Sequence, residues 1–275
     1  MKKGVLLIAF GKPAYAYFAH NMLASIKHHS PDVQVCLASD GVERYLKPEQ
    51  VGKFDQIKHF SPVKDAGHNK LRMFELSPFD HTLFLDVDGC AVADVGKLLD
   101  TYIEDGRPVI GDVVGSGGLH HSINYQFWTH NYALWGWFGL PKDAGVQTLQ
   151  TSSLYFDKSA KAKEFFDTAY KFRNFPHKLL INHWGGATPD ELILTGAAAR
   201  TGLDLKHEIK PVFFGFKHYR EITDHNIGQK HFILSMYGNA RLVKLRYREM
   251  YDRKMSHYTK SAYNSNLCYS SKHIK

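Results

Sequence analysis

Cysteine is scarce in this chain, with Cys36, Cys90 and Cys268 the only three among 275 residues. Their odd number and wide scatter exclude a disulfide framework and the close pairs of a zinc site, so they read as reduced thiols of a cytoplasmic protein. Long apolar runs are missing too. No stretch reaches eighteen apolar residues, which excludes a membrane-spanning helix, and the start MKKGVLLIAFG passes directly into strand-like residues with no small-residue cleavage site, against export. Neither Gly-x-x-x-x-Gly-Lys-Ser/Thr nor Gly-x-Gly-x-x-Gly occurs, so the usual glycine fingerprints for nucleotide phosphates are absent, although four glycines between Gly111 and Gly118 predict a mobile loop.

What is present is enough for a large core: 44% of the residues are hydrophobic. The net charge of +8 is unevenly placed. From Arg241 onward there are nine Lys or Arg and two acids, so the last 35 residues carry +7 and the first 240 are nearly balanced. Residues 1–240 therefore read as one domain and 241–275 as a basic, tyrosine-rich tail. Such an excess attracts polyanions, either nucleic acid or an anionic membrane surface, unless it is simply a solvated face.

Along the chain, Val5 to Phe10 reads as a strand, followed by a helix opened by Pro13 with Tyr15, Phe18, Met22 and Ile26 as its buried stripe. Val33 to Ala38 and Gln56 to Phe60 are further strands, His68 to Leu76 is helical, and Thr82 to Leu85 forms a buried strand. Later come an amphipathic helix marked by Val95, Leu98, Leu99 and Tyr102, the strand LQTSSLYF from Leu149, and helices over 157–172 and after Pro189. Strands alternating with helices predict an α/β sandwich on a mainly parallel sheet, with ligands beyond the strands' carboxyl ends.

The sharpest chemical signal is HTLFLDVDGCAV, His81 to Val92, where a buried strand runs into Asp86 and Asp88. Residues two apart on extended chain face the same side, so the two carboxylates share one ligand while Val87 turns inward, and carboxylate oxygens suit a hard divalent cation. An Asp-rich turn closing the strand is the plainer alternative. Asp40 sits at another strand end, as a donor ligand or a cap. Lys70 and Arg72, just before the central strand, are candidate phosphate cations. Seven aromatics crowd 125–138, among them Trp128 and Trp135, and Trp184 follows in HWGG. These rings suit stacking on sugars or bases, whereas Trp128, Tyr132 and Trp135 at helical spacing equally describe a buried face. Asp190 and Glu191 open the helix after Pro189, as dipole-favoured acids or as carboxylates delivered into a cleft.

KLRMFELSPFDHTLFLDVDGCAV, LQTSSLYFDKSAKAKEFF and PDELILTGAAARTGL together resemble the GT-A fold of glycosyltransferases. The layout is most similar to the retaining, galactosyltransferase-like family that includes glycogenin, over roughly residues 4 to 235. The resemblance implies a Rossmann-like αβα sandwich and transfer of a hexosyl or pentosyl group from a nucleotide-diphosphate sugar to a hydroxyl. It implies Mn²⁺ or Mg²⁺ on Asp86 and Asp88, with Asp86 also serving the donor. That family often adds a late histidine; His231 resembles it, with His218 as a rival, while the usual His-x-x-Gly-x-x-Lys-Pro-Trp word is absent. It also places an acid or amide near the anomeric carbon, which points to Asp190, then Glu191 and Gln150.

Two other classes fit parts of the chain. LFLDVDG resembles the first motif of haloacid-dehalogenase-type phosphatases, but Cys90 breaks the Asp-x-Asp-Gly-Thr pattern and Gly111-Asp112 lacks the second acid of its partner motif. A non-catalytic carbohydrate or nucleic-acid binding protein would use only the aromatic segment and the tail. For a transferase, the tail suits hydroxymethylated DNA of the phage type as acceptor, or a membrane-associated lipopolysaccharide reached by peripheral contact, with a slight preference for nucleic acid because no apolar anchoring face is evident.

Overall fold

The structure is a computed structural model that describes residues 1–117, 128–129, 131–141, 144–181, 187–214, 229 and 231–235. Trp184, His218 and the tail 241–275 lie outside the described residues. The first half sets helices between strands: β1 (Lys3–Ala9), α1 (Pro13–His29), β2 (Gln34–Ser39), a short α2 (Pro48–Val51), β3 (Gln56–His59), α3 (Ala66–Lys70), α4 (Met73–Leu76) and β4 (His81–Leu85). There follow β5 (Gly89–Ala91), α5 (Val95–Asp105), β6 (Val109–Gly117), α6 (Asn131–Phe138), β7 (Val146–Asp157), α7 (Ala160–Lys171), α8 (Asp190–Thr201), β8 (Val212–Phe214) and β9 (Ile233–Ser235).

Among the described residues, the main sheet has six strands in the order β3-β2-β1-β4-β7-β6. β1, β2, β3 and β4 pair in parallel, as expected for strands joined by helices, whereas β7 is antiparallel to both β4 and β6. The strands are apolar on both faces, the pattern of a sheet covered on both sides. Leu6, Ile8, Cys36, Ala38 and Phe84 face one core, with Phe165 and Phe166 of α7 and Leu192, Ile193 and Leu194 of α8. Val5, Leu7, Val35, Leu37, Leu83 and Leu85 face the other, with Met22, Leu23 and Ile26 of α1 and Leu98, Leu99 and Tyr102 of α5.

Three local differences from the sequence reading concern the site. The helix expected over 68–76 is split into α3 and α4. Tyr15 is 40% exposed rather than buried with Met22 and Ile26, because the first turn of α1 lies at the carboxyl edge of the sheet, past the core. Finally, β5, β9 and β8 form a second small sheet, with β5 antiparallel to β9 and β9 parallel to β8. Strands of three residues carry too little periodicity to be read from sequence.

Candidate active site at the carboxyl edge of the sheet

β4 stops at Leu85, and Asp86, Val87 and Asp88 form the link to β5. The backbone N–H of Asp86 still donates to the carbonyl of Ser152 on β7 at 3.0 Å, which anchors the turn to the sheet. Val87 is 5% exposed, while Asp86 and Asp88 are only partly covered; a turn at Val87 and Asp88, rather than extended chain, sets this arrangement.

Lys70, the last residue of α3, brings the separate elements together. Its Nζ lies 2.7 Å from Asp86 Oδ1 and 2.9 Å from Oδ2, and 3.6 Å from Asp190 Oδ2 at the start of α8. The hydroxyl of Thr151 on β7 donates to Asp190 Oδ2 at 2.6 Å. α3 and α8 can meet this closely because Gly67 has no side chain: a Cβ there would stand 2.2 Å from the carbonyl oxygen of Thr188. Asp65 clamps the same junction, accepting from the N–H of Gly67 at 3.0 Å and of Thr188 at 3.1 Å.

The electrostatics are lopsided: Asp86, Asp88, Asp190 and Glu191 share one ammonium. Burial would lower the pKa of Lys70, but Asp190 and Asp86 outweigh it and hold the amine charged, its pKa well above the usual lysine range. Burial, and then the charges of Asp88 and Asp190, push Asp86 up to about 7 against the pull of Lys70. Burial also raises Asp88. Glu191 is pushed up to about 8 by burial and by Asp190, and its Oε2 has no hydrogen-bond partner. Tyr15 belongs to the same field, its pKa raised by burial and then by Asp88. A site this short of positive charge fits a divalent cation, and the donor set of carboxylate oxygens suits Mg²⁺ or Mn²⁺. Among the described residues, no three His, Cys, Asp or Glu side chains converge as a ready-made metal cluster.

The remaining sequence candidates are distributed around this centre. Asp40 follows β2 at the same edge; its Oδ2 accepts from the N–H of Gly11 at 2.9 Å, and its Oδ1 is buried without a partner. Gln150 is on β7, with its Nε2 3.4 Å from Ser152 Oγ. Arg72 is turned elsewhere, donating to Ser61 O at 2.9 Å and Glu75 Oε1 at 2.9 Å and lying over the Phe60 ring. Trp135 is 4% exposed inside the α8-side core, so it fills the buried helix face that its spacing also allowed. Trp128 is partly buried against that core. His231 lies at the far end of β9 from the Asp pair, its Nδ1 3.2 Å from the carbonyl of Lys210. Thr151, Asp65 and Gly67 were not singled out by sequence, since a buried threonine and a capping aspartate carry no motif.

No protein-family model matches the chain, and no curated protein matches it in sequence. Solved structures do match in shape. The galactosyltransferase LgtC in complex with donor and acceptor sugar analogues aligns over 91% of this chain and 95% of its own, at a TM-score of 0.57 and 13% identity. An active-site mutant of LgtC aligns over 90% and 94%, at a TM-score of 0.55 and 13% identity. The bifunctional glycosyltransferase WbbM, in its apo form, aligns over 94% of this chain but 51% of its own, at a TM-score of 0.57 and 12% identity. At such identities the likeness speaks for architecture alone, and that architecture, an αβα sandwich on a mostly parallel sheet, is the GT-A fold of glycosyltransferases.

Proposed function

We propose that the protein is a metal-dependent glycosyltransferase that moves a sugar from a nucleotide-diphosphate donor to a hydroxyl acceptor. The observation that carries this reading is the meeting of Asp86 and Asp190 at Lys70, with Asp88 and Glu191 in the same electrostatic field, at the carboxyl edge of a GT-A sheet. That edge is where open α/β sheets bind their ligands. The phosphatase reading is the weaker one, since Cys90 breaks its Asp-x-Asp-Gly-Thr word and Gly111-Asp112 lacks the second acid of its partner motif.

The chain's own residues divide the work by position. Asp86 and Asp88 would hold Mn²⁺ or Mg²⁺. A cation held there would supply positive charge to offset the charge that builds on a departing diphosphate. Lys70 keeps a fixed positive charge in the same niche, its orientation set by Asp86 and Asp190. Asp40 offers its unpartnered Oδ1 to a donor hydroxyl or N–H group. Thr151 orients Asp190 toward the sugar, and burial and the charge of Asp190 raise the pKa of Glu191 beside it. Retention of configuration is the outcome we favour, with Asp190 as the stabilising carboxylate.

The acceptor reading rests on the tail. Its charge of +7 over 35 residues favours a polyanionic acceptor, with hydroxymethylated DNA preferred over a membrane-borne glycan. Duplex DNA should then shift in a gel with strong salt dependence while anionic liposomes fail to sediment the protein; the reverse pattern would move the acceptor to the membrane. For the donor, a panel of nucleotide sugars with Mn²⁺ should raise the melting temperature for one sugar nucleotide, which is then slowly hydrolysed without acceptor. Combining Asp86→Asn with Asp88→Asn should abolish that cation-dependent shift. Unchanged donor binding in the double variant would falsify the transferase reading.

A further inference from the structure

The acids of α7 are taken up in its own first turns. Lys161 pairs with Glu164 at 2.9 Å and Lys163 with Asp167 at 2.6 Å, so the end of the helix has no carboxylate left. From Tyr170 to Ile181 the chain carries Lys171, Arg173 and Lys178 and no Asp or Glu. None of these three cations forms an ion pair among the described residues: Arg173 Nη1 donates to the Tyr170 carbonyl at 2.6 Å, and Lys171 Nζ lies 5.6 Å from the centre of the Phe172 ring. Cations at a helix end offset its dipole and cap its last carbonyls, which accounts for Lys171 and Arg173. It accounts neither for Lys178, exposed beyond the helix, nor for Tyr170, which is 39% exposed. The guanidinium carbon of Arg173 stands 4.0 Å from the centre of the Tyr170 ring and holds that ring in place.

This surface is joined to the site at two points. His68 Nε2 is 2.9 Å from the Arg173 carbonyl, and His68 stands two residues before Lys70 on α3. His177 Nε2 is 3.1 Å from Thr188 Oγ1, and Thr188 stands two residues before Asp190. Unpaired cations around a fixed, accessible ring match a single strand of nucleic acid, whose phosphates meet the cations while an unstacked base lies on the ring. A duplex keeps its bases stacked inside, and a ring held by Arg173 is placed for stacking rather than for insertion into a bilayer interface. We propose that Tyr170, Lys171, Arg173 and Lys178 seat unpaired nucleotides of a nucleic-acid acceptor beside Lys70 and Asp190. This rests on the polyanionic-acceptor reading above and adds the strand form that is recognised. The basic tail attracts single strand and duplex alike, so the ratio of the two affinities isolates the α7 surface.

The test is fluorescence anisotropy of the full chain with a labelled oligothymidylate and with a labelled duplex of the same length, over a series of NaCl concentrations. Sedimentation with phosphatidylglycerol vesicles and donor hydrolysis are followed on the same samples. Tyr170→Ala should weaken single-strand binding about tenfold and leave the duplex unchanged, whereas Tyr170→Phe, which keeps the ring, should bind as the unaltered protein does. Lys171→Ala combined with Lys178→Ala should flatten the slope of log K against log salt for the single strand by about 1.4, about 0.7 for each cation removed. Donor hydrolysis should stay unchanged throughout, and circular dichroism checks that each variant is folded. If the oligothymidylate binds and none of these substitutions moves its affinity, its salt slope or its ratio to duplex, the α7 assignment is wrong and acceptor capture stays with the tail. If no oligonucleotide binds, or if the substitutions act on vesicle sedimentation instead, the nucleic-acid partner is wrong. A strand preference that depends on Tyr170 in a protein that hydrolyses no sugar nucleotide would leave this surface in place and remove the transferase reading.

Discussion

At the scale of single residues, the site depends on groups that no motif names. Thr151 is fully buried and gives its hydroxyl to Asp190 at 2.6 Å. A hydrogen bond to a charged group contributes about 1.5–3 kcal/mol, so Thr151→Val should lower unfolding free energy by about that much, read by urea titration, and should lower turnover more than donor affinity. Asp112, 4% exposed on β6, is a second telling residue. Burial pushes its pKa up to about 7, with Lys210 pulling weakly the other way. A carboxyl whose pKa is raised on folding contributes its full stability below the unfolded value near 4, and that contribution is lost as pH rises through about 7. Glu191 acts in the same sense up to about 8. Melting temperature should therefore fall between pH 5 and pH 8, and Asp112→Asn should flatten the fall. A variant that kept the full slope would place the titration elsewhere.

At the scale of elements, glycine positions set how close the helices come. In the interior of a helix, Gly→Ala ordinarily gains about 1 kcal/mol from propensity. At Gly196 of α8 the sign reverses, because a Cβ would lie 2.2 Å from Cε2 of Phe138 on α6, and overpacking costs about 1–3 kcal/mol. Gly67 on α3 faces a harder obstacle, the backbone carbonyl of Thr188. Gly67→Ala should push α3 away from the start of α8 and take Lys70 from Asp190. We expect a stability loss of about 1–3 kcal/mol, and a loss of activity well beyond what that loss accounts for, measured as kcat at a temperature where the variant is fully folded. Much of the element order was legible in the sequence. Buried strands such as VLLIAF and TLFL and the stripe on α5 show clear periodicity, and both the strands and the helices fall close to where they were read. The direction of β7 was not legible, because a strand reached through a long connection carries no local mark of whether it pairs parallel or antiparallel.

At the scale of the whole molecule, charge is unevenly placed along the chain, with the first 240 residues nearly balanced and the last 35 carrying +7. If the tail's role is acceptor capture, a chain ending at residue 240 should keep donor hydrolysis while losing salt-sensitive DNA binding. Loss of both activities together would tie the tail to the catalytic body. Among the described residues, no helix is long and apolar enough to cross a membrane, in keeping with the lack of long apolar runs.

The sequence by itself determined the alternation of strands and helices and the two-sided apolar sheet. These follow from local periodicity, which neighbouring residues carry without reference to the rest of the chain. Only the tertiary structure decided which distant groups meet. Lys70 reaches Asp190 across 120 positions because α3 and α8 pack at Gly67, and strand register sets Ser235 opposite Gly89. Arg72 and Trp135, plausible from type and place in the chain, were turned to other tasks by the same packing. Contacts of this kind depend on where separate elements come to rest against one another, and residue spacing holds no record of that.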